Sequence, residues 1–156
     1  AGSMVRRSLG IGMTGEDACN ITAAEHARLA LNAQAQGKRA AIMSGGELTV
    51  TVRGNGRGGP NQEYVLALVE HLADSKNISM LAADTDGADG GAGSPTDPAG
   101  AMADARTFAK MRELKLDPEA YLDNNDATTF FEATGDLVVV GPTLTNVNDI
   151  RVILVD

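Results

Sequence analysis

The stretch from Arg53 to Glu63, RGNGRGGPNQE, decides how this chain is read. A Val- and Thr-rich run, Leu48 to Arg53, precedes it. Val65, Leu68, Val69 and Leu72 follow at i, i+3, i+4 and i+7, which is one face of a helix. The order is therefore strand, glycine loop, helix. Gly54, Gly56 and Gly59 fit G-x-G-x-x-G, the spacing that lets a backbone approach a dinucleotide. The free amides of a helix start attract anions, and Arg53 and Arg57 add charge. A flexible turn is the plainer alternative. The dinucleotide reading has a flaw in spacing: Asp84, the next strand-ending acid, lies later than the usual ~20 residues.

Outward from this loop, strands and helices interleave, which makes the class α/β with a layered mixed β-sheet flanked by helices. Ser8 to Met13 and Arg39 to Ser44 read as strands. Between them Thr22-Ala-Ala-Glu25 is a capping-box pattern. It opens a helix that presents Ala24, Ala27, Leu31 and Ala35 on one face and ends at Gly37. Ile78 to Ala83 is a short apolar strand, and Asp84 to Gly100 a long loop. Ala105 to Leu114 is a helix with Phe108 and Met111 inward. Asp117-Pro118 caps a short helix through Leu122, and Asp126 caps Ala127 to Ala133. Leu137 to Val140 and Ile150 to Val155 are strands, expected to be antiparallel neighbours.

The chain has 156 residues, 43% of them apolar, with no Trp, so it can build a core of Ala, Val, Leu, Ile and Met. A net charge of −8 disfavours a nucleic-acid or anionic-membrane surface, though not a small anion in a local pocket. Cys19 is the only cysteine; a cytoplasmic setting is expected. Cys19 has no nearby base in sequence, and His26 and His71 read as surface residues. No apolar run is long enough to cross a membrane.

Two further loops carry polar side chains. Asp84-Thr-Asp-Gly-Ala-Asp-Gly-Gly-Ala-Gly-Ser-Pro-Thr-Asp97 follows a strand end, where α/β proteins bind ligands. Asp84, Asp86, Asp89 and Asp97 suit Mg²⁺ or a substrate hydroxyl. An EF-hand is ruled out, because Asp89 stands where Gly is needed and Pro95 where Glu is needed. A solvated Asp/Gly turn is the alternative. The second loop holds Thr143, Thr145, Asn146, Asn148 and Asp149, which suit substrate hydroxyls or, more simply, the tying of the loop to itself.

Taken together, "SGGELTVTVRGNGRGGPNQE", "DTDGADGGAGSPTDPAGAMAD" and "LDPEAYLDNNDATTFFEATGDLVVVGPTLTNVNDIRV" resemble the C-terminal domain of the glycerate 2-kinase / hydroxypyruvate reductase family, called MOFRL after a motif. The likeness runs from about Ala41 to Val155. It implies residues 41–156 as that domain and residues 5–40 as the tail of a preceding N-terminal domain; Ala1-Gly-Ser-Met4, residues 1–4, reads by itself as an expression scar. It also implies transfer of the ATP γ-phosphoryl group to D-glycerate, giving 2-phosphoglycerate, with ATP and Mg²⁺ as cofactors and a cleft completed by the N-terminal domain. The fragment alone is then inactive. Under the resemblance Arg57, Asp86 and Asp89 are catalytic, and Asp84 and Asp86 hold the metal. Gly54, Gly56, Gly58, Gly59, Asn61, Gln62, Glu63, Asn146, Asn148 and Asp149 bind substrate or phosphate. Many members carry Arg in "GGRNQE" where this chain has Pro60, which offers neither charge nor amide. Neither nucleic acid nor membrane is an expected partner, and a homo-oligomer is left open. Two functions compete with the kinase: an NAD(P)H-dependent hydroxypyruvate reductase and a non-catalytic ligand-binding fragment.

Overall fold

The computed structural model describes residues 3–6, 18–91 and 93–156. Its sheet is organised around β6 (Asp149–Val155), whose residues alternate between buried and more exposed along the strand. Inward go Asp149, Arg151, Ile153 and Val155. Seven residues rich in Ile and Val suit a strand paired on both edges. On one side β6 runs antiparallel to β2 (Ala40–Gly45), on the other antiparallel to β3 (Ile78–Asp84). β4 (Gly100–Ala103) pairs with β3, and β5 (Leu137–Val138) with β4, both antiparallel. β1 (Ser3–Arg6) lies parallel to β2 at the far edge. The order is β1-β2-β6-β3-β4-β5. The sheet is thus mixed, as the class requires, with five antiparallel strands and one parallel edge.

Four expectations change. β5 and β6 are not neighbours: β6 inserts between β2 and β3, and β5 is confined to the edge beside β4. β4 lies at the end of the long loop and reads "GAMA", without the β-branched residues that mark a strand in sequence. Leu48 to Arg53 is extended but joins no ladder. Asn125 takes its place as a pairing partner, accepting from the Arg53 and Gly54 amides at 2.7 and 3.0 Å. The helix α1 (Ala18–Ala35) starts ahead of Thr22, which is buried inside it. Its core face is Ala23, Ala27 and Ala30, while Ala24, Leu31 and Ala35 are exposed. A helix with alanine on every side offers little periodic contrast, so the stripe was displaced by one residue.

The strand expected at Ser8 to Met13 lies outside the described residues. Ser3 and Met4, which sequence assigns to a leading scar, sit in β1. α2 (Pro60–Leu72) is apolar almost all round and buried from Asn61 to Val69, as a helix at the centre of a core must be. It packs against α1, and α1 shares that core with the sheet. α3 (Ala105–Leu114) begins with a capping box closed by Asp104 and Thr107 and buries Phe108 and Met111. α4 (Pro118–Asp123) starts from an Asp117 cap, and α5 (Ala127–Thr134) follows Asp126. Among the described residues no helix is long and apolar enough to cross a membrane.

Candidate active site

The ends of β2, β3 and β5 and the starts of β4 and β6 fall on one edge of the sheet. The start of α2 meets that edge through Asn61, whose Nδ2 donates to Asp149 Oδ1 at 2.8 Å. The three polar loops therefore converge, but their contacts are divided unevenly.

The acidic loop closes the start of α2. The Asp89 carboxylate accepts from the backbone amides of Asn61 and Gln62 at 2.9 and 2.8 Å, and from both side-chain amides at 3.1 Å. It is buried. Burial pushes its carboxyl above the ordinary range, and the four N–H donors pull it partly back. The helix terminus expected to hold a phosphate is thus already filled by a carboxylate of the chain itself. Asp89 is a cap in this arrangement, with its lone pairs committed to α2.

Asn61, Gln62 and Glu63 face inward and bind chain, each to a different segment. Gln62 Oε1 accepts from Thr128 on α5 at 2.7 Å. Glu63 accepts from Asn125 Nδ2 at 2.9 Å. Asn61 bridges Asp89 and Asp149. Behind Asp149 stands Arg151, 3% exposed, which donates to Asp149 at 3.2 Å, to Ser44 at 3.1 Å and to the Gly46 carbonyl. Its guanidinium lies over the Tyr64 ring, whose hydroxyl is 2.6 Å from His26 Nδ1. His26 is accordingly a buried residue, not a surface one. Cys19, also buried, donates to the Pro60 carbonyl, and burial drives its thiol far above the ordinary range.

The glycine loop is shaped by the chain it crosses. A Cβ at Gly54 would overlap the Asn124 backbone, one at Gly56 the Asp126 side chain, and one at Gly59 the Asp89 backbone. Gly58 has room, with its nearest neighbour at 3.4 Å. Loop amides are taken too: Asn55 by Asn124 Oδ1, Gly56 by the Asn124 carbonyl, and Arg57 by Asp126 Oδ1. In return the Arg57 carbonyl accepts from the Thr128 amide near the start of α5. Asp126 caps the crossing segment and Thr129 Oγ1, and makes no side-chain bond to an α5 amide. The Arg57 side chain is exposed and reaches Glu132 of α5 at 2.6 Å.

The remaining acids meet the third loop. Asp84 Oδ1 accepts from the Asp86 amide at 2.9 Å. Asp86 accepts from the Ala88 amide at 2.9 Å and from Asn146 Nδ2 at 3.1 Å. Asn146 Oδ1 accepts from the Asn148 amide, and Thr85 bonds the Asn148 carbonyl. Asp97 turns inward on its own loop to the Ser94 amide. Burial raises the Asp84 carboxyl above the ordinary range. The Asp86 amide opposes this, and the charges of Asp86 and Asp149 add to it. Asp84, Asp86, Asn146 and Asn148 thus form the solvent-reachable part of the convergence.

The pattern that defines the MOFRL family matches residues 40–149. The chain belongs to the MOFRL family. Among relatives of this MOFRL chain, the D-glycerate 2-kinase of Thermotoga maritima is 42% identical over 118 residues, covering 76% of the chain and 27% of the relative. A protein of Agrobacterium vitis named "Putative hydroxypyruvate reductase" is 48% identical over 118 residues, 74% of the chain and 26% of the relative. A crystal structure of glycerate kinase from Thermotoga maritima superposes with a TM-score of 0.84 at 33% identity, covering 99% of the chain and 36% of that structure. The chain thus spans between a quarter and about a third of the length of these proteins.

The MOFRL chain holds together through residues with no part in the candidate site set, Arg151, Asn125, Thr128 and Tyr64, and through His26, which sequence places at the surface. One of them did carry a signal. Arg151 stands between Ile150 and Val152 at an inward position of a strand, where a charge needs a buried partner. Asn125 and Thr128 carry none, since both are ordinary residues at the end of one helix and the start of another. Pro60 occupies the first helical position of α2, where a missing amide is harmless.

Proposed function

We propose that this chain is the C-terminal, acid-loop part of a glycerate 2-kinase that transfers the γ-phosphoryl group of ATP to D-glycerate. The observation that carries the reading is the joining of Asp84 and Asp86 to Asn146 and Asn148 at the sheet edge. Carboxylates and amides there face solvent, while every acid deeper in the convergence is spent on the fold. Relatives named glycerate 2-kinase supply the substrate class.

In this reading the 2-hydroxyl oxygen of glycerate attacks the γ-phosphorus, its proton passes to Asp86, and ADP leaves. Asn146 holds Asp86 in place, and the exposed Asn148 side chain faces the substrate hydroxyls. Among the described residues no three acids, histidines or cysteines are grouped closely enough to cage an ion. Mg²⁺ is commonly held by one or two carboxylates together with substrate phosphates. Asp84 and Asp86 would hold it; when bound it neutralises charge on the transferring phosphoryl group. The start of α2 does not suit a phosphate, because Asp89 fills it, so nucleotide contacts fall to Arg57, Arg53 and surfaces beyond this chain. Arg57 is paired with Glu132, so an anion there competes with that carboxylate. The 156-residue chain alone is expected to be without turnover. A reductase would need a dinucleotide cradle, and Gly54, Gly56 and Gly59 are already packed against the chain.

The test is a paired assay on a polypeptide joining this chain to the preceding region of the Thermotoga maritima kinase. One arm follows ATP-dependent phosphorylation of D-glycerate, the other NAD(P)H oxidation by hydroxypyruvate. Turnover in the first arm alone, lost by at least ~10²-fold in Asp86→Ala, supports the reading. Hydride transfer without phosphorylation, or full kinase activity in Asp86→Ala, overturns it.

A further inference from the structure

The sheet has two faces, and the described helices account for one. Ile42, Met80, Ala82, Ala101, Ala103, Ile153 and Val155 point into the core shared with α1, α2, α3 and α5. The opposite face follows from the strand registers. Across one row lie Met43, Val152, Leu81 and Met102; beside it lie Ala41, Leu154 and Ser79 on one side and Gly45, Ile150 and Ala83 on the other. On β2, β6, β3 and β4 this face contains no charged residue, and Ser79 is its one polar side chain. Met43, Met102, Ile150 and Leu154 are each 40–46% exposed.

An antiparallel sheet with one solvated face normally alternates apolar with polar residues. Here both faces are apolar, the pattern of a sheet covered on both sides. A contiguous apolar surface on a chain of net charge −8 is a contact surface.

We infer that this outer face is the seat of another part of the polypeptide, the part that makes up the remaining length of the relatives. Two observations favour that occupant over a second copy. The glycerate kinase structure superposes on nearly the whole of this chain, yet 64% of its own length lies elsewhere and must pack somewhere. The face also runs without interruption into the candidate site. Ile150 and Ala83 on this face are the chain neighbours of Asp149 and Asp84. A body seated there would reach the acidic edge, which is where a kinase cleft needs its second wall. The inference rests on family membership, and its readout is independent of turnover.

Cys19 is buried, so a single introduced cysteine is the accessible thiol among the described residues. Met43→Cys and Leu154→Cys would be labelled with a maleimide in the isolated chain and in the joined polypeptide described above, with Glu113→Cys on α3 as reference. We expect labelling at the two sheet positions to slow about tenfold or more on joining, relative to the reference, because only open states react. A second measurement does not depend on labelling. Leu154→Lys should leave the melting temperature of the isolated chain unchanged or raised, and lower that of the joined polypeptide. Equal labelling in both forms, or no difference in the effect of Leu154→Lys, overturns the inference. So does an isolated chain that sediments as a dimer with both cysteines already protected, since a second copy would then be the occupant.

Discussion

Asp89 Oδ2 lies 2.8 Å from the amide nitrogen of Gln62, and its partner oxygen lies 2.9 Å from that of Asn61. A residue from the acid-rich loop therefore closes the helix that follows the glycine-rich loop, and the two motifs form one structural unit. Removing it leaves two backbone amides and the Gln62 side-chain amide buried without their acceptor, while Asn61 Nδ2 keeps its bond to Asp149. Asp89→Ala is expected to lower unfolding free energy by about 3 kcal/mol or more, at roughly 1–3 kcal/mol per orphaned group with partial recovery by water. Urea denaturation followed by circular dichroism measures it; unchanged stability would leave Asp89 free for chemistry instead.

The glycines separate by what they touch. Gly59→Ala and Gly56→Ala place a methyl group inside backbone or side chain of the Asp89 and Asn124–Asp126 segments. Each is expected to cost on the order of 1–3 kcal/mol, the range for forced overpacking. Gly58→Ala meets its nearest atom at 3.4 Å and should be neutral or slightly stabilising. Equal effects at the three positions would argue that a ligand, not the chain, imposes the glycines.

Arg151 and Asp149 are a buried ion pair, 3% and 5% exposed at the side chain. Arg151→Met strands the Asp149 carboxylate, with an expected loss of about 3–5 kcal/mol. The double variant Arg151→Met with Asp149→Asn should recover part of that loss, because no unpaired charge remains. A double-mutant cycle in urea reads the coupling, and strict additivity would contradict it.

Asp104 caps α3 and bonds Arg106, which holds its carboxyl below the ordinary range; burial opposes this. Its folded pKa is depressed, so its stabilisation is complete above the unfolded value of about 3.9. That stabilisation disappears as pH falls through the folded value. Asp104→Ala should destabilise by about 1 kcal/mol at neutral pH, and the wild type and variant should converge in acid. Melting temperatures measured from pH 7 down to pH 2 test this; a constant gap would refute it.

Much of this was legible in the sequence because it is local. The Asp117 cap, Pro118 at a helix start, and the spacing of Val65, Leu68, Val69 and Leu72 depend on residues within a turn or two. The order of loops along the chain sufficed to place it in its family. Periodicity failed where it had no contrast, as in the alanine-rich α1, or where a segment met its partner far away in sequence, as Leu48–Arg53 met Asn125.

What the sequence by itself determined was the α/β class, the run of helices along the chain and the three polar loops. Only the tertiary structure decided which loop residues remain available. A hydrogen bond from Gln62 to Asp89 or from Asn61 to Asp149 spans 27 or 88 residues, and sequence spacing says nothing about pairs formed at that distance. The G-x-G-x-x-G spacing read as an invitation to a phosphate, because glycine permits close approach without naming what approaches. In the fold, what approaches is the chain's own Asn124, Asp126 and Asp89.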